Sequence, residues 1–476
     1  MVSSRKLFFH KRSAGRLLLF CLIGVLIFGA SLSSVTIAAT PLTPVLTSVP
    51  ISSGNKPFFA SSIDLGSRGY VEEEYLVAGT ANIYEYDANK QVQVKTPNVA
   101  YQTRILIRRP VHPGRFNGTV FFEWMNPTAG FDIDFMWQYT AQRILHDGYI
   151  WVGITVRPVA INFIKAWNPA RYGTLNMSDA GLIYDAVSQV GVLLRDRHAS
   201  QNPLNRFNVR RMLSSGYSQS ARYLVTYINE FHDDATLPDG SPAFDGYLVS
   251  GANNSARQIN STSGDAGDER RFINAPVPVI RTQTETELAL GSATTRLPDS
   301  NVYRTYEWTG TSHGDVEILA LNQVVIERDI PGAPPAVCAN ENNPLENSPF
   351  IRAAMVNLNR WAKDGAAPPP AVLIDLDGAG EIIRDTHGNA TARLRPPGIE
   401  APLGRHFPLN DGPGPCILVG SFFAFDDATL DSLYPSHGAY VSRVAQTVRN
   451  LVLGRYVLPE DGAKYIVEAA RSDVGK

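Results

Sequence analysis

Polar and apolar residues alternate through Gly69-Tyr70-Val71-Glu72-Glu73-Glu74-Tyr75-Leu76-Val77, a period of two that predicts a strand. Thr103 to Pro110 reads as a second strand that stops at proline, which has no N–H to give to a ladder. Gly118 to Trp124 is a third, apolar almost throughout and therefore expected to be buried on both faces. From there helical and strand patterns take turns. Helix Phe135–His146 is followed by strand Tyr149–Val156. Ser178 is a candidate N-cap for a helix with apolar positions at Leu182, Ile183, Ala186, Val190, Leu193 and Leu194. Strand Val209–Ser215 precedes a helix with Ala221, Leu224, Val225, Ile228 and Phe231 on one face, and strands 244–250, 277–282 and 302–308 follow. Antiparallel strands followed by alternating strand and helix predict an α/β protein with a mostly parallel sheet flanked by helices. Beyond about 330 the pattern breaks into Pro/Gly-rich loops around helices at 350–363 and 440–453, with no internal repeat.

The first residues follow a different logic. Lys6, Lys11, Arg12 and Arg16 precede the apolar run Leu17 to Ala30, and Ala38-Ala39-Thr40 closes the segment, which is the layout of a secretory signal. The run is too short for a comfortable membrane span, so no stable span is expected after cleavage; an uncleaved signal anchor is the alternative. The expected organisation is thus a signal at 1–39, a surface leader at 40–68, a core at 69–330, and a C-terminal elaboration at 331–476 packed on that core. The expected location is secreted or periplasmic. Removing the signal leaves Cys338 and Cys416, which an oxidising compartment allows to bridge. A formal charge of −2 with no basic stripe leaves nucleic acid binding without an electrostatic footprint.

Candidate chemistry centres on Gly216-Tyr217-Ser218-Gln219-Ser220, between a buried strand and an amphipathic helix. Small residues two before and two after a serine suit the tight strand-to-helix turn that presents a nucleophile. Two other Gly-x-Ser-x-small stretches compete. The one at 29–33 falls in the signal. Gly310-Thr311-Ser312-His313-Gly314 is the better literal match, but would place the turn a strand too late and take its partners from the irregular tail. A serine hydroxyl needs a histidine to accept its proton and a carboxylate to orient that histidine. After Ser218, strand 277–282 runs into Glu285 and Glu287, and strand 302–308 runs into His313, so acid and base arrive in the order Ser, acid, His. Glu287 lies farther into its loop, with Glu285 its close rival. His437 is the alternative to His313. The backbone N–H of Gln219 is the first expected oxyanion donor, and the loop at Met125, Asn126 and Pro127 the source of the second, through Met125 or Asn126. No cofactor and no metal is called for.

The segments Gly69–Tyr75, Glu123–Asn126, Pro169–Gly173, Gly216–Arg222 and Gly310–His313 together resemble the large exported α/β-hydrolase domain proteins of bacteria and fungi, over about 70 to 455. The resemblance implies the α/β-hydrolase fold and a serine esterase-type site, with Ser218, His313 and one of the paired glutamates matching by position. Ser220 departs from the wider superfamily, where glycine is commonest. The expected activity is cleavage of a small-molecule carboxylic ester through an acyl-enzyme. Amide hydrolysis by the same triad and a catalytically silent binding protein are the alternatives. The polar, Gly-rich stretch 251–275 is a surface excursion near the site, and its role as a lid is open, as is the oligomeric state.

Overall fold

Thr119–Trp124 (β4) is buried at every position, as its continuous apolar run requires. Its residues face two cores in alternation: Val120, Phe122 and Trp124 enter one and Phe121 the other. The computed structural model describes residues 43–332 and 337–476. Nine strands form one sheet: Val45–Val49 (β1), Tyr70–Tyr86 (β2), Val92–Pro110 (β3), β4, Ile150–Ile154 (β5), Arg211–Tyr217 (β6), Gly246–Ser250 (β7), Val279–Thr284 (β8) and Tyr303–Trp308 (β9). Their spatial order is β1-β2-β3-β5-β4-β6-β7-β8-β9. The β1-β2-β3-β5 contacts are antiparallel, and every contact from β5 to β9 is parallel.

The alternation seen in β4 repeats in β5 to β8. Val152, Met212, Val249 and Val279 join the first core, and Trp151, Leu213, Leu248 and Ile280 the second. Helix Phe135–Asp147 (α1) covers the second face, Leu182–Arg195 (α3) and Gln219–Glu230 (α4) the first, and Pro158–Trp167 (α2) follows β5. Each strand thus carries apolar side chains on both faces, which only helices on both sides can cover.

The eight expected strands are present, with β2 and β3 much longer than their alternating cores. Residues 45–49 of the expected leader add an edge strand, paired Val45↔Ala78 to Val49↔Glu74. Phe58 and Phe59 of the same leader are buried rather than laid over the surface, and the Phe58 ring lies 5.2 to 5.8 Å from those of Phe131, Phe163 and Trp167. In the C-terminal part, Ser348–Asp364 inserts Phe350, Ile351, Met355, Leu358 and Trp361 into the second core, so it completes a layer of the main sheet. Helices Val316–Asp329 and Pro459–Arg471 were not expected. Cys338 and Cys416 are bridged, with Cα atoms 5.4 Å apart and a sequence separation of 78. Among the described residues no helix is long and apolar enough to cross a membrane. The expected signal and the serine stretch at 29–33 lie outside the described residues.

Candidate active site

Ser218 sits between β6 and α4 with φ 59° and ψ −120°, a region sparsely populated by residues with a Cβ. The turn is tight enough to select its neighbours. A Cβ at Gly216 would lie 2.9 Å from the amide nitrogen of Ala221, so no larger residue fits without moving backbone. Ser220 is fully buried, and its hydroxyl donates to the Met125 carbonyl at 3.0 Å. The departure from glycine therefore has a use: it ties the elbow to the loop after β4. Ser218 holds its own place through its N–H, which donates to the Ser250 carbonyl at 2.9 Å.

Glu285 and Glu287 lie on the short helix Glu285–Ala289, which directly continues β8, and the structure separates them. Glu287 Oε1 is 2.5 Å from His313 Nδ1, while its Oε2 accepts the N–H and hydroxyl of Thr284 at 2.6 and 2.8 Å. The second oxygen is thus spent on a capping box, which aims the first. Glu285 is not beside His313. Its carboxylate accepts from Arg384 at 2.7 Å and from the Gly310 N–H at 2.6 Å. Two positions along a helix turn a side chain by roughly 200°, which sends the two carboxylates in nearly opposite directions.

His313 is fixed from several sides. Its N–H donates to Thr286 Oγ1 at 3.0 Å, its carbonyl accepts from the Tyr217 hydroxyl at 2.5 Å, and the Tyr217 ring lies 5.0 Å away, centroid to centroid. Gly251, at the end of β7, backs the imidazole: a Cβ there would come within 3.1 Å of Cε1 and 3.3 Å of Nδ1. Gly251 also adopts φ +64°, which a side chain disfavours. Gly251→Ala is therefore expected to lower kcat on a soluble ester by about 100-fold through displacement of the imidazole, and to cost about 1 kcal/mol in urea unfolding. Equal turnover in the two proteins would show that the ring has room to move.

The rivals are placed elsewhere. The Ser312 hydroxyl is buried and accepts from Asn343 Nδ2 at 2.8 Å. His437 starts the helix His437–Leu453, with its ring nitrogens 2.9 and 3.2 Å from the carbonyls of Val474 and Ala470.

The oxyanion expectation needs one correction. Gln219 begins α4, so its N–H is among those a helix leaves without an intrahelical partner. The Asn126 N–H is already given to the Ile133 carbonyl at 2.8 Å, and the Met125 N–H to the Ile154 carbonyl at 3.1 Å. Neither is free for an oxyanion in this conformation. Asn126 instead holds the loop: its Nδ2 donates to the Tyr217 carbonyl at 2.7 Å and its Oδ1 accepts from the Thr128 N–H at 2.8 Å.

The other motifs behind the resemblance anchor that same loop. Arg104 pairs with Asp132 and Glu74, both at 3.1 Å, and Arg108 with Asp134 at 2.5 Å and Glu72 at 2.6 Å. Arg171 of the 169–173 segment reaches Glu74 at 2.5 Å. Buried pairs of this kind contribute little net stability, but removing one partner typically costs about 3–5 kcal/mol. They commit the chain to one loop conformation beside Ser218.

Glu123, the residue before Trp124, accepts from the N–H groups of Met136 and Trp137 and from Trp151 Nε1 at 2.8 to 2.9 Å. Burial pushes its carboxyl up to about 8, against the helix N–H groups that favour the anion. An acid raised in the folded state contributes stability that is whole below its unfolded pKa and is lost as pH rises through about 8. Urea unfolding at about pH 5 and about pH 9 should show stability falling more steeply in the wild type than in Glu123→Gln. Parallel slopes would mean that Glu123 stays ionised throughout.

No curated protein matches the chain. Solved structures similar to the chain are so only at low identity and low TM-score. A CE15 glucuronoyl esterase from Teredinibacter turnerae is 10% identical with TM-score 0.30, covering 67% of this chain and 79% of its own. Esterase 2 from Thermogutta terrifontis is 12% identical with TM-score 0.30, covering 52% and 92%. An alpha-beta serine hydrolase homologue from Coxiella burnetii is 12% identical with TM-score 0.28, covering 48% and 92%. The family model for the alpha/beta hydrolase domain matches residues 44–467, nearly all of the described chain and every element of the site, and the protein belongs to that family.

Proposed function

We propose that the protein is a serine esterase acting on small-molecule carboxylic esters. The observation that carries this reading is the 2.5 Å contact of Glu287 with His313 at the end of the sheet where Ser218 occupies a strained elbow. Ser218 Oγ attacks the ester carbonyl while His313 takes its proton, and Glu287 holds Nδ1–H and stabilises the imidazolium. The tetrahedral oxyanion is met by the Gln219 N–H at the start of α4, where the helix dipole adds positive potential. Collapse expels the alcohol, protonated by His313. Water then repeats the sequence on the acyl-enzyme and releases the acid.

A fluorophosphonate probe should label the protein once, on the peptide containing Ser218, and block turnover of p-nitrophenyl esters. Labelling elsewhere, or full turnover after Ser218 is modified, would overturn the reading. Parallel anilide substrates separate esterase from amidase, since an esterase fails to expel the poorer amine leaving group. The Cys338–Cys416 bridge supports the proposed exported location, because such bridges persist in oxidising compartments.

A further inference from the structure

Arg157 follows β5 at the carboxyl end of the sheet, and its guanidinium lies 4.5 Å from the centroid of the Tyr223 ring. Arg257, from the 251–275 excursion, lies 5.3 Å from the same ring. Arg222 completes the group, one turn into the helix that begins beside Ser218. Its N–H donates to the Ser218 carbonyl at 3.3 Å, and its carbonyl accepts the Arg257 N–H at 3.2 Å. Arg222 thus adjoins the elbow, and Arg157 and Arg257 group beside it around Tyr223. Ser218, Arg222, Arg157 and Arg257 are all partly exposed, whereas Tyr223 beneath them is fully buried.

The charges in this group do not balance. Asp265 serves both Arg222, at 2.5 Å, and Arg257, at 2.8 Å. Arg157 makes no ion pair among the described residues, and its Nε and Nη1 are buried without an acceptor. Asp179 is near enough to act on Arg157, but it is committed to the N–H groups of Gly181 and Ser261 at 2.7 to 3.2 Å. Burial, and then the Arg257 charge, lower the Arg157 pKa to about 10, the mark of a cation in an unfavourable place. A partly exposed guanidinium that makes no ion pair complements a carboxylate in charge.

We propose that Arg157, flanked by Arg222 and Arg257, binds a carboxylate carried by the substrate, so that the ester cleaved at Ser218 belongs to an anionic molecule such as a dicarboxylic acid monoester. The inference rests on the serine esterase reading. It adds a charge requirement at a subsite beside the first turns of α4.

Monomethyl esters of dicarboxylic acids, from glutarate to suberate, and methyl alkanoates of equal chain length test this by pH-stat. In the wild type, kcat/KM for the best anionic ester should exceed that of its neutral match by about 10- to 100-fold, the worth of a charge-assisted pair. In Arg157→Met that ratio should fall at least about tenfold, and in Arg157→Lys, which keeps the charge but loses the planar guanidinium, by a smaller factor of roughly three. Arg157→Lys carries the test if the methionine variant does not fold. A ratio near one at every length, or a ratio unmoved by both variants, overturns the inference while leaving the esterase reading intact. If no ester is cleaved and fluorophosphonate leaves Ser218 unlabelled, it is the esterase reading that fails. The subsite is then decided by calorimetry with monomethyl suberate on the Ser218→Ala protein: binding that Arg157→Lys weakens supports it, and no binding overturns it.

Discussion

Ser218→Ala is expected to reduce ester turnover by roughly 10⁴- to 10⁶-fold, the range found when a triad nucleophile is removed. The informative companion is Ser218→Gly, which should be equally inactive and yet more stable than the wild type. The elbow holds Ser218 at φ 59° and ψ −120°, which costs a residue with a side chain about 1–3 kcal/mol. Glycine relieves that strain, and gives back about 0.4–1 kcal/mol through its freer unfolded chain. The net expectation is a gain of about 1 kcal/mol in urea unfolding of Ser218→Gly relative to Ser218→Ala. Equal stability of the two variants would mean that the turn is not strained in solution, and that the elbow presents its serine at no cost.

The second large effect separates two neighbouring carboxylates. Glu287→Gln should lower kcat by about 10⁴-fold, because an amide beside Nδ1 no longer holds the tautomer in which Nε2 accepts the serine proton. Glu285→Gln should leave kcat within about threefold, and act instead on stability, by about 1–3 kcal/mol, through the weakened pairing with Arg384 and Gly310. Measuring kcat and unfolding free energy on both variants gives opposite signatures. A collapse of kcat in Glu285→Gln, with Glu287→Gln near wild type, would reassign the acid.

These two residues also mark the limit of what a linear reading resolves. Each follows the same strand, each has the same chemistry, and they stand two positions apart. The choice between them depends on the capping box at Thr284, a geometric relation that no spacing announces. The oxyanion loop presents the same difficulty. Asn126 is a sound candidate donor by position, yet its N–H pairs with Ile133 across a turn, a partner that only the folded loop brings near. Tyr217, Thr286 and Gly251 carry no local signal of their role, although each holds or backs His313. Tyr217 stood inside the motif with no role to suggest, and Gly251 is one of 38 glycines in the chain.

The parts legible without coordinates share a physical basis in local pattern. Continuous apolar runs determined which strands lie in the middle of the sheet, since a strand with both faces apolar must be covered on both. Amphipathic spacing determined the helices that cover it. The order Ser218, glutamate, His313, each just after a strand, narrowed the carboxylate that meets His313 to two neighbouring candidates. What only the tertiary structure decided depends on groups distant in sequence meeting at one place: Glu287 rather than Glu285 on the imidazole, the insertion of Ser348–Asp364 into the second core, the edge strand 45–49, and the grouping of Arg157 and Arg257 over Tyr223 with Asp265 shared by Arg222 and Arg257. Hydrophobic burial is nondirectional and leaves a periodic trace along the chain, whereas a hydrogen bond or an unpaired charge is defined by its partner, and that partner is chosen by the fold.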